Sequence, residues 1–163
     1  VELSYLVKRP DLAAATAGRV GLCSLAAPLT IERIDELLTI FGDHQARFGA
    51  DQISITFIKP NIALPSDDIR SRVRELHASV FAAGTSCVIC DADGFWAAAM
   101  RGILASLNLI TRKAPRGTRT IDEALAFVTI KTPSLEAERG ALAEAMERFR
   151  SEHLAMGGHA PQR

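Results

Sequence analysis

The chain has 163 residues, 48% of them apolar and 23% charged, and its 19 basic side chains are cancelled by 19 acidic ones. This composition excludes disordered and collagen-like chains, and the length suits one domain that buries roughly 68–70% of its unfolded surface without disulfides or a structural metal. Zero net charge removes the positive field on which nucleic-acid and anionic-membrane binders depend, so neither partner is expected.

Ser4 to Lys8 sets Tyr5 and Val7 against Ser4, Leu6 and Lys8, the alternation of a half-buried strand near a sheet edge, and Pro10 ends it. An Ala-rich connection to Gly18 leads into a second strand, Arg19 to Leu25, expected to run antiparallel to the first because the connection is short. Thr30 is placed to cap a helix in which Ile31, Ile34, Leu37, Leu38, Phe41 and Phe48 recur at helical spacing, with Gly49 at its end. Gln52 to Lys59 is a strand setting Ile53, Ile55 and Phe57 against Ser54, Thr56 and Ile58. Ser66 opens a helix striped by Ile69, Val73, Leu76 and Val80, with Arg70, Arg72 and Arg74 facing outward and Asp68 spaced to pair with Arg72.

Ser86 to Cys90 is nearly continuous in apolar and small residues, as in a central strand covered on both faces. Asp93 can cap the next helix, Gly94 to Leu109, whose apolar surface is broad. Ile110 to Pro115 reads as a short last strand, and Thr120 to Glu123 as a capping box opening a helix through Phe127. After Pro133 a final amphipathic helix carries Leu135, Leu142, Met146 and Phe149, and it either clasps the sheet or pairs with a second copy in a homodimer. The expected organisation is an α/β domain over 1–132, a C-terminal helix over 133–154 and a disordered tail over 155–163.

No apolar run approaches the roughly 18 residues of a membrane span, and residues 1–18 lack the pattern of an export signal, so a cytoplasmic location is expected. Cys87 and Cys90 lie three apart in a strand, so they point to opposite faces and cannot share a metal or close an unstrained disulfide. Together with Cys23 they are expected as small buried groups, and no metal or cofactor is expected.

Strands alternating with crossover helices predict a mixed sheet of about five strands with an extra C-terminal helix. Three stretches carry a family resemblance: Leu25 to Leu38, then Gly84 to Cys90 with the helix and the Thr118 to Ala126 segment behind it, and Leu64 to Arg70. Residues 4 to about 130 resemble the STAS domain of bacterial anti-sigma-factor antagonists and sulfate-transporter tails. The resemblance implies a cytoplasmic regulatory module that docks a protein partner such as a kinase or an anti-sigma-like protein. It also puts Ser66 where the antagonists carry a phosphorylated serine, with Pro65, Asp67 and Asp68 replacing that serine's usual neighbours. Asp67 and Asp68 would repel a phosphate there, and Ser66 also reads simply as a helix cap.

In parallel sheets the loops leaving the strand carboxyl ends meet ligands and partners, which singles out Lys59, Asn61, Ser66, Asp91 and Asp93 as a partner-binding rim. An alternative is a small-ligand or anion-binding domain, in which Arg112, Lys113, Arg116 and Arg119 hold a phosphate, a nucleotide or a lipid; the same segment also reads as a solvated loop balanced by Asp122 and Glu123. His44 and His77 flank apolar stripes with no triad partner placed beside them, so no catalytic residue and no enzyme activity are expected. Of Phe95 and Trp96, one is expected in the core and the other at the surface.

Overall fold

The first three strands form a meander, β1 (Ser4–Lys8), β2 (Leu12–Ala17) and β3 (Val20–Leu25), each antiparallel to the one before. The computed structural model, which describes residues 1–60, 62–79, 84–90, 92–111 and 115–157, thus makes a strand of the Ala-rich segment expected to be a connection. Alanine has little intrinsic strand preference, but β2 lies between two strands under both helical layers, and that burial decides its conformation. Two residues, Gly18 and Arg19, turn β2 into β3, and Gly18 takes the positive φ of 60° that such hairpin loops favour. As a result β3 pairs with β2 and does not touch β1, the partner expected from sequence.

From β3 onward the sheet is parallel. It proceeds through α1 (Ile31–Phe48), β4 (Ile53–Ile58), α2 (Asp67–Ser79), β5 (Thr85–Ile89), α3 (Phe95–Thr111) and β6 (Arg116–Thr118), with the six strands in sequence order. Because each right-handed crossover steps the same way, α1, α2 and α3 all land on one face. The last two helices, α4 (Ile121–Lys131) and α5 (Arg139–Gly157), cover the other face and complete a three-layer α/β/α arrangement. The sheet has six strands, one more than expected, and β6 replaces the strand read at Ile110 to Pro115, where α3 instead continues to Thr111. Thr30 caps α1 by accepting from Arg33 N–H, and Thr120 caps α4 by accepting from Glu123 N–H as its sequence predicts, while the Glu123 carboxylate closes back on Arg119 N–H, one residue before the expected partner. Helix α5 runs on to Gly157, past the expected end at 154, and residues 158–163 of the expected tail lie outside the described residues. Among the described residues no helix is long and apolar enough to cross a membrane.

The two sheet faces are unequal. Toward α4 and α5 the neighbouring rows Val20–Ile53, Leu22–Ile55–Cys87 and Phe57–Ile89 are large and buried, sealed by Leu125, Val128, Met146 and Phe149. Phe149 stacks on Tyr5 at 5.9 Å between centroids and meets Phe57 at 6.1 Å, so the final helix spends its apolar stripe on the sheet. Its far end is fixed by His153, only 1% exposed, whose Nδ1 lies 2.6 Å from Ser24 Oγ and Nε2 3.0 Å from the Arg9 carbonyl. A carbonyl only accepts, so Nε2 carries the proton and Nδ1 accepts from the Ser24 hydroxyl.

Burial pushes the pKa of His153 below its ordinary value, and burial does the same to His44. Both rings are therefore neutral in the fold but free to protonate in the unfolded chain, so stability is full above about pH 6.5 and falls as pH drops through that value. The urea midpoint is expected to be lower at pH 5.5 than at pH 7.5. At neutral pH, His153→Ala is expected to cost about 2–3 kcal/mol by leaving Ser24 and the Arg9 carbonyl unpaired, and to flatten the pH dependence.

Candidate functional site

At the carboxyl edge of the parallel strands the first turns of α1, α2 and α3 stand side by side. Ser66 accepts the first helical hydrogen bond of α2 through its carbonyl, from Arg70 N–H at 2.9 Å, and Gly94 turns the chain into α3 with φ of 91°. Ser66 and Asp93 are exposed on this edge. Lys59 continues the alternation of Ile55 and Phe57, so it leaves the sheet on the α5 side, where its charge helps to hold His153 neutral. It therefore does not converge with Ser66 and Asp93, and Asn61 and Asp91 lie outside the described residues.

Three apolar side chains not assigned to the rim from sequence share this edge: Ile31 opening α1, Leu64 before α2, and Phe95 opening α3. They are 38%, 40% and 87% exposed. Glu32, Asp67, Asp68 and Asp93 surround them, so the edge is apolar and acidic. Trp96 turns inward, as one of the two aromatics was expected to, and its Nε1–H donates to the Ile62 carbonyl at 2.7 Å. The expected Asp68–Arg72 pair does not form. Asp67 instead pairs with Arg70, and the Arg72 guanidinium bridges Asp35 on α1 at 2.6 Å and Glu75 on its own helix at 3.0 Å.

The basic segment does not converge among the described residues. Arg116 lies over the Phe127 ring on the α4 side, 5.2 Å from its centroid, and Arg119 is exposed with its N–H donating to Glu123. Arg112 and Lys113 lie outside the described residues.

Behind the rim, between the sheet and α1–α3, lies a cavity of about 120 Å³. Its floor follows from the small face of the central strands: Gly21, Ser54 and Ser86 form one row, and Cys23, Thr56 and Val88 the next. Phe41 packs so closely over Gly21 that a Cβ there would sit 2.9 Å from its ring. Met100 and Leu104 of α3 wall the cavity, and Ile62, Ala63 and Pro65 line its rim end. Burial pushes the Cys23 thiol up to about 12, and Cys87 and Cys90 to about 11, so all three stay protonated and unreactive. Cys87 and Cys90 belong to opposite core layers, as their spacing predicts.

Two histidines hold polar partners in the interior. His44 Nε2 lies 3.1 Å from the Gly18 carbonyl, its ring between Phe41 and Phe48. Ser24 and His153 have the spacing of a nucleophile and its base, but at 4% and 1% exposure no substrate reaches them. The side chain of His77 lies outside the described residues, among which no three His, Cys, Asp or Glu stand together as metal ligands. Comparison with protein-family models, curated proteins and solved structures finds no match, so the reading of this site rests on its own residues.

The Trp96–Ile62 bond ties the rim loop to α3. Trp96→Phe is expected to cost about 1 kcal/mol and to speed amide hydrogen exchange across residues 62–66, with exchange in β4 unchanged. Mass-spectrometric exchange on the two proteins measures it.

Proposed function

We propose that this chain is a non-enzymatic regulatory module of the STAS type, working by docking a protein partner on the rim above α1, α2 and α3. The observation that carries this reading is the row Ile31, Leu64 and Phe95, above all Phe95 at 87% exposed. A large aromatic held in water at a helix start contributes nothing to the core, whereas aromatic anchors of this kind dominate protein interfaces. Helix axes pack roughly 8–10 Å apart, so three adjacent first turns present a strip about 20 Å long, the footprint of a short partner helix. Glu32, Asp67, Asp68 and Asp93 beside it favour a partner segment that is apolar and basic.

The order of elements and the resemblance of residues 4 to about 130 to the STAS domain support the regulatory role. Burial of both described histidine side chains in carbonyl and hydroxyl contacts supports docking over bond-making. Ser66 stands within the strip, so a phosphate there would deepen its negative charge and alter affinity for a basic partner.

A photo-crosslinking residue at position 95 is expected to capture one discrete partner in cells, and the same residue at the distant, 76% exposed Ile130 to capture none. Leu64→Asp is expected to abolish the product and Ser66→Glu to change its yield, each altering stability by no more than about 0.5 kcal/mol. Equal products at both positions, or a product indifferent to Leu64→Asp, would contradict the proposal.

A further inference from the structure

The cavity beneath the rim has three properties that together point to a ligand, independently of what the rim docks. The first is size. At about 120 Å³ it is comparable to the apolar holes of about 150 Å³ that stay dry and accept a benzene ring. The second is a set of hydroxyls with no protein partner among the described residues. Ser54 is 8% exposed, and neither its hydroxyl nor those of Thr56 and Ser86 makes a hydrogen bond among the described residues, although all three line the void. Ser54 and Ser86 are register partners on neighbouring strands, so their hydroxyls stand side by side. Thr56 and Ser86 are half-buried, and hydroxyls without a protein partner beside an apolar hole can both donate to and accept from a polar atom that enters it.

The third property is charge. Among the described lining residues Arg70 is the one ionisable side chain other than Cys23, and its guanidinium is already paired with Asp67. The hole therefore asks for no net charge. It also reaches the surface, because Ala63 both lines it and is exposed, with Ile62 and Pro65 beside it.

We infer that this cavity binds an uncharged, ring-sized molecule carrying one hydroxyl, of the phenol class. The ring lies against Phe41, Val88, Met100 and Leu104, and the hydroxyl exchanges hydrogen bonds with Ser54 and Ser86. An anion finds no free cation among the described lining residues.

The test titrates the full chain with phenol and with benzene, following methyl NMR shifts and the melting temperature. Both rings are expected to bind saturably, phenol about five- to tenfold more tightly, the margin one buried hydrogen bond gives. Phenol at ten times its dissociation constant is expected to raise Tm by about 3–5 °C. In the double variant Ser54→Ala with Ser86→Ala, which the benzene titration reports as folded and open, the preference is expected to shrink to within about twofold. No saturable binding of either ring to the unsubstituted chain would overturn the inference, showing hydroxyls satisfied by water alone. A phenol preference that survives the double variant would overturn it equally.

Discussion

Everything distinctive in this molecule depends on the unequal faces of its central strands. In β4 the residues facing α4 and α5 are Ile53, Ile55 and Phe57, while those facing α1, α2 and α3 include Ser54 and Thr56. A strand alternates strictly, so this one hexapeptide builds a sealed layer on one side and a short floor on the other. Its neighbours repeat the bias, with Leu22 behind Gly21 and Cys23, and Cys87 beside Ser86. The sealed side supplies cohesion through Phe149, Met146 and the buried His153, and that allows the opposite side to stay incompletely filled.

Topology then decides where an incompletely filled side can act. The strand order follows the sequence without reversal, so this sheet has no switch point of the kind that opens a ligand crevice at the edge of doubly wound folds. The space lies instead beneath the helices, while the edge above carries three helix starts with Ile31, Leu64 and Phe95 in solvent. The segment 62–65 belongs to both regions, with Ile62, Ala63 and Pro65 lining the cavity and Leu64 on the rim, and Trp96 fastens it through the Ile62 carbonyl. The cavity below and the exposed apolar rim above thus share one short segment.

Much of the framework is legible in the sequence because local signals agree with tertiary demands. Thr30, Thr120 with Glu123, and the Ile53 to Ile58 alternation each announce an element that forms where expected. Strand β2 is illegible because alanine carries no strand signature, and only burial between β1 and β3 makes it one. The short β6 is set by pairing with β5, a long-range fact that no local pattern at Ile110 to Pro115 reveals. For the site, the parallel-sheet rule locates the edge and brings Ser66 and Asp93 to it, but it misplaces Lys59, whose direction follows from the parity of β4. Ser54 and Thr56 are visible as the small face of a strand. That they floor a void is not, because the void depends on how the described parts of α1, α2 and α3 pack over them.

A hollow side is a physical claim that can be measured without any ligand hypothesis. Crystals of the protein under xenon pressure are predicted to show xenon bound in the space bounded by Thr56, Val88, Met100 and Leu104, with the opposite layer around Ile55 and Phe149 empty of it. Close-packed side chains across that space, or xenon distributed equally on both sides of the sheet, would contradict the account.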